Sequence, residues 1–223
     1  MPLRETPEAP ILRKQRSKAT PDELRAANLK RSWKQLEMRA AANFTEGRDL
    51  VGCVTFDPAH KPRDRLQAQS KFYYYRSKLN DARRELGLPK LKMIWGVEVL
   101  TSKRGLWHVH FLVDSVGHDF ELLRRWPYGT QCEFETLRLD PECGFERIAK
   151  YISKEPRYVQ DWKSRAGLHG WSATRNCVKP TVEVLRVPRD YELRAPDGCT
   201  VFLNETRGGE FGEIRELEYL ARA

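Results

Sequence analysis

Apolar residues recur along the chain with two periods, and each period marks a kind of element. From Thr20 the stretch Thr20-Pro21-Asp22-Glu23 reads as a helix start: Thr at the N-cap, Pro at the first helical position, Glu at the third. Leu24, Leu29, Trp33, Leu36 and Met38 then give an apolar side to a helix predicted to run to about residue 42. Residues 64–86 carry the longest helical pattern, with Leu66, Phe72, Tyr75, Leu79, Ala82 and Leu86 at three- and four-residue steps before Gly87. Between these, Leu50–Phe56 (LVGCVTF) is a short β-branched apolar run stopped at Asp57-Pro58, the mark of a buried strand.

Further on, Lys92–Leu100 (KMIWGVEVL) and Leu106–Val113 (LWHVHFLV) predict two strands paired through the polar turn TSKRG. A short helix near 118–126, a strand near 132–139, a helix over 141–154 and a strand over 181–187 follow. The tail from Tyr191 reads as a β-ribbon ending in a short helix. This order predicts an α+β fold with a central antiparallel sheet and helices stacked on one face. The expected organisation is a basic arm at 1–19, a helical extension at 20–45, a main domain at 46–190 and an appendage at 191–223.

Composition narrows this further. The chain has 223 residues, 40 Lys+Arg against 31 Asp+Glu and a net charge of +9, which suits one domain with a taste for polyanions. No apolar run is long enough to span a bilayer, and the N-terminus lacks the apolar core of a secretory signal. No membrane partner is expected. The five cysteines are odd in number, widely spaced and without a CxxC pair, so they predict reduced thiols in a cytoplasmic protein and stand as bystanders to any chemistry.

Two motifs carry candidate chemistry. In the strand 106–113, His108 and His110 share a face because side chains alternate, while Val109, Phe111 and Val113 face the other way. Two imidazoles on the solvent side of a sheet suit a metal, and equally describe two surface histidines. The partner strand places Glu98 opposite, where it either completes a two-His, one-carboxylate set or forms a simple cross-strand contact. The second motif is Lys150-Tyr151-Ile152-Ser153-Lys154. Tyr151 and Lys154 share a helix face, with Ile148 and Ile152 on another. A tyrosine titrates near pH 10, so a nucleophilic role at neutral pH needs a cation beside it.

In their order along the chain, these features resemble the HUH endonucleases, in particular the rolling-circle replication initiators of small phages, viruses and plasmids. The residues that carry the resemblance are the apolar strand Leu50–Phe56, Glu98, the His108/His110 pair, Tyr151 with Lys154, and Trp171-Ser172-Ala173-Thr174-Arg175-Asn176. It runs from about residue 50 to 180. The resemblance implies a ferredoxin/RRM-like core, a metal bound by Glu98, His108 and His110, and a 5′-phosphotyrosine formed on Tyr151, with Lys154 assisting. Arg147 stands four residues before Tyr151, so the single-tyrosine type is the one implied. The implied metal is Mg²⁺ or Mn²⁺, although ligand softness alone favours zinc. The implied partners are single-stranded DNA at a replication origin and a separate helicase and polymerase, because no GxxxxGK[ST] pattern occurs in the chain.

Cations and aromatics that could meet DNA are Tyr74, Arg76, Lys103, Arg104, Trp107, Lys150, Arg157, Tyr158 and Arg175. Phe72 and Tyr75 read as core residues of the long helix. Related readings are an HUH transposase or relaxase, an inactive nucleic-acid-binding module, and a cupin-type metalloenzyme. The helices at 21–42 and 64–86 argue against the last.

Overall fold

The computed structural model describes residues 20–100, 105–117, 119–153, 170–181, 191–209 and 212–220. It is an α+β fold: a five-stranded antiparallel sheet flanked by helices, with a separate two-stranded ribbon. The sheet order is β4-β1-β3-β2-β5, from strands β1 (Leu50–Thr55), β2 (Met93–Leu100), β3 (Leu106–Val113), β4 (Cys132–Thr136) and β5 (Ser172–Ala173). The helices are α1 (Pro21–Ala41), α2 (Arg65–Glu85), α3 (Asp119–Leu123) and α4 (Glu146–Ile152).

Local chemistry accounts for the helix ends. At α1 the Glu23 amide donates to Thr20 Oγ1 at 3.3 Å and the Thr20 amide donates to Glu23 Oε2 at 2.7 Å, a reciprocal capping box. Asp64 caps α2 through the Gln67 amide at 2.8 Å. Gly87, at φ +68°, ends α2. The amides of Gly87 and Leu88 return to the carbonyls of Arg84 and Arg83, which only a left-handed residue permits at that position.

Helices cover both faces of the sheet, not one as the pattern predicts. On one face Phe72, Tyr75 and Leu79 of α2 meet Trp95, Val109, Phe111 and Val113. On the other, Leu36 and Ala40 of α1 and Ala149 and Ile152 of α4 meet Ile94 and Leu112. The reason lies in β3: Phe111, Leu112 and Val113 are consecutive and all buried, so both sides of that strand need cover. The C-terminal half of α1 therefore belongs to the sheet's second core. Leu66 and Leu86, counted on the apolar stripe of α2, are exposed instead.

Two boundaries differ from the pattern for clear reasons. The helix expected from 141 begins at Glu146, because Gly144 at φ +56° and a turn capped by Asp140 precede it. In the tail, β6 (Thr200–Gly209) pairs with β7 (Gly212–Leu220) up to Leu220, so the expected terminal helix is strand throughout the described residues. The ribbon rests on the body through Phe202 against Gly144, where a side chain would crowd the ring, and through Lys34 paired with Glu218. The strand expected over 181–187 lies outside the described residues beyond Thr181.

Candidate active site

The β2–β3 register pairs Glu98 with His108 and Gly96 with His110. The β1–β3 register adds Thr55 opposite His108 and Cys53 opposite His110. Thr55, His108 and Glu98 thus form one row across the sheet face, and Glu133, Cys53, His110 and Gly96 form the next. His110 Nε2 donates to Glu98 Oε2 at 2.9 Å. The two histidine rings lie nearly parallel, 9° apart, with centroids separated by 6.4 Å. Thr55 Oγ1 stands 2.8 Å from His108 Nδ1 and so sets that ring's orientation.

This face is not the solvent side. His110 is only 5% exposed, because α4 lies over its end of the sheet. The Tyr151 ring of α4 meets the His110 ring at a 59° tilt with centroids 4.2 Å apart. Residue 96 makes that approach possible. A Cβ built on Gly96 would overlap the Ile152 carbonyl oxygen, stand 3.0 Å from its carbon and lie 3.2 Å from the Gly170 oxygen. Only the absence of a side chain lets the end of α4 sit on the sheet beside His110.

Tyr151 itself is 39% exposed and opens into a cleft of about 560 Å³ between α4 and the β1–β4 edge. Glu133, Glu135, Arg138 and Arg147 line that cleft. Burial first, and then the negative potential of Cys53, Glu98, Glu133 and Glu135, pushes the Tyr151 phenol up to about 12. The site by itself therefore keeps this tyrosine protonated.

Glu98 and His110 fit a divalent cation as a pair. Their facing donor atoms are 2.9 Å apart, close to the ~3 Å separating adjacent ligands of an octahedral ion bound at about 2.1 Å. His110 Nδ1 is buried and has no hydrogen-bond partner among the described residues. The described residues include no group of three or more His, Cys, Asp or Glu side chains placed to hold a metal, so His108 does not complete the set in this arrangement.

The remaining predicted residues fall into distinct places. Lys103, Arg104, Lys154, Arg157 and Tyr158 lie outside the described residues. Trp107 is corrected: period-two alternation turns it away from His108 into the α2-side core, where it is 8% exposed and offers no stacking surface. Lys150 is exposed, pairs with Glu146 and lies 5.8 Å from the centre of the Trp33 ring. Tyr74 is exposed on α2 with Lys78 over its ring, while Phe72 and Tyr75 are core residues as expected. Arg76 and Arg175 line a separate groove at the β2–β5 edge.

Three residues of the site were not singled out. Glu133 and Glu135 face Tyr151, and their alternation with Cys132 and Phe134 was the available signal. Cys53, expected to be a bystander, stands in the His110 row with its sulfur 3.9 Å from His108 Nδ1. Comparison with protein-family models, with curated proteins and with solved structures returns no match to this chain.

Proposed function

We propose that this chain is a metal-dependent enzyme that nicks and rejoins single-stranded DNA through Tyr151, and that it initiates rolling-circle replication in the cytoplasm. One observation carries the reading. Glu98, His110 and Tyr151, far apart in sequence, meet at a sheet–helix contact that a glycine makes possible. The HUH resemblance assigns those same positions to metal binding and nucleophilic attack.

In this reading Glu98 and His110, with His108 on the same sheet face, are the residues that would hold Mg²⁺ or Mn²⁺. When bound, such an ion would supply Lewis-acid polarisation of the scissile phosphate. The Tyr151 oxygen forms a bond to phosphorus as the bond from phosphorus to the 3′ oxygen breaks. The phenol's proton leaves with the 3′-hydroxyl, and the 5′ phosphate stays on Tyr151. The reverse step rejoins the strand, and the phosphotyrosine conserves the bond energy, so no nucleotide triphosphate is needed. Glu98 is one of the carboxylates that hold the phenol protonated, and a cation held there would offset its charge.

The test is adduct formation. The protein is incubated with single-stranded oligonucleotides covering the candidate origin of its own replicon, with Mg²⁺ or Mn²⁺, and run on a denaturing gel. The proposal expects a covalent adduct from the wild type and none from Tyr151→Phe or from protein treated with a chelator. A metal-independent adduct, or an adduct that survives Tyr151→Phe, counts against it.

A further inference from the structure

A groove of about 840 Å³ wraps the β2–β5 edge between α1 and α2, away from the cleft beside Tyr151. Its lining contains Arg76, Lys90 and Arg175 and, among the described residues, no Asp or Glu. None of these three cations forms an ion pair with a described carboxylate. Tyr73 is 40% exposed on one wall, edge-on to Trp95 at 5.6 Å, and the Arg76 guanidinium lies 4.8 Å from the Trp95 ring centre and 5.0 Å from that of Tyr73. An aromatic face beside unneutralised cations is the composition that holds a nucleic acid strand: bases stack and phosphates are neutralised.

The segment 171–176 sharpens this. Trp171 Nε1 donates to Ser32 Oγ on α1 at 3.0 Å. Ser172 and Ala173 form the edge strand. Thr174 ties the segment to β2: its amide donates to the Met93 carbonyl at 2.9 Å, and its Oγ1 accepts from the Met93 amide at 3.0 Å. Asn176 Nδ2 donates to the Lys90 carbonyl at 2.9 Å, which fixes the backbone that carries Lys90. Among the described residues the Arg175 side chain has no hydrogen-bond or ion-pair partner. It is exposed on a turn that its neighbours make rigid, and the same turn sets Lys90 beside it. Gly170 also lines the groove, and its carbonyl lies against Gly96, the cross-strand partner of His110.

We infer that this groove is a subsite for single-stranded nucleic acid, with Tyr73 as a base-stacking surface and Lys90 and Arg175 as phosphate contacts, carrying the strand toward the His110–Tyr151 contact. The inference rests on the reading of the chain as an enzyme of single-stranded DNA, but it is tested by binding alone. The affinity of the full chain for a fluorescent single-stranded oligonucleotide is measured by anisotropy over a range of salt, in EDTA so that no covalent step occurs. Lys90→Gln with Arg175→Gln, both at exposed positions, lowers affinity by about 25-fold at 0.1 M salt and flattens the slope of log affinity against log salt by about 1.4, the value for two phosphate contacts. Tyr73→Leu weakens binding roughly fivefold or more and leaves the slope unchanged.

Unchanged affinity and slope in the double variant overturn the inference, as does a wild type that binds no single strand. Tighter binding of duplex, or full competition by micromolar mononucleotides, also overturns it, since each places a different ligand there. If the variants behave as expected while the wild type forms no adduct with metal restored, the groove stands and the nicking reading falls.

Discussion

Gly96→Ala is the smallest change that separates the two halves of the site. Its φ is not in the left-handed region, so alanine is tolerated by the backbone and the whole effect is steric. The new methyl overlaps the Ile152 carbonyl oxygen and meets the carbonyl carbon at 3.0 Å, where ordinary contact begins at 3.4 Å. Backbone atoms cannot rotate away as a side-chain tip can, so the end of α4 must retreat by on the order of 1 Å, a displacement that can cost about 100-fold in rate at a reacting centre. Overpacking of this kind costs about 1–3 kcal/mol, or roughly 2–12 °C in melting temperature for a domain of this size. The assay pairs the rate of adduct formation with a thermal melt followed by circular dichroism. The expected result is a folded protein, modestly destabilised, with adduct formation slowed by about two orders of magnitude. Gly87→Ala, at a φ of +68° with open space around it, is the control: it costs stability but leaves the adduct rate alone. A Gly96→Ala protein that reacts at the wild-type rate would refute the claim that the sheet–helix approach at residue 96 sets the site.

Tyr151 should titrate late in metal-free protein: ultraviolet phenolate titration of wild type against Tyr151→Phe isolates a component with its midpoint near about 12, and a midpoint at or below the ordinary tyrosine value near 10 contradicts the acidic, half-buried setting. Because the folded state favours the neutral phenol, its contribution to stability is full below pH ~10 and is lost as pH rises from there toward 12. Away from the site, Asp114→Asn weakens the ion pair at 2.9 Å to the fully buried Arg83 and is expected to cost about 3–5 kcal/mol in urea denaturation, against less than 1 kcal/mol if the pair contributes no more than a surface one.

The elements that carried their own signals were legible. The capping box of α1, the periods of α1 and α2, and the β2–β3 hairpin with Glu98 opposite His108 depend on neighbours in sequence or on one short turn. Residues that matter through distant contacts were not. Gly96 reads as an ordinary strand glycine until α4 lies on it. Glu133 and Glu135 look like the wet side of an edge strand, yet they face Tyr151 because β1 separates β4 from β3. The polar residues of the HxH strand suggest a half-solvated face, although Leu112 requires cover on that same face. The groove is illegible in any window of sequence, since Tyr73, Lys90 and Arg175 come together only when the edge strand docks.

The central claim is that Tyr151 carries the DNA, and peptide mapping of the adduct tests it most directly. The covalent complex is digested with nuclease and trypsin and read by mass spectrometry. Cleavage after Lys150 and Lys154 releases the peptide Tyr151-Ile152-Ser153-Lys154. The account predicts that this peptide carries a nucleotide joined through its 5′ phosphate to the tyrosine. The same modification on any other residue, with Tyr151 unmodified, would contradict it.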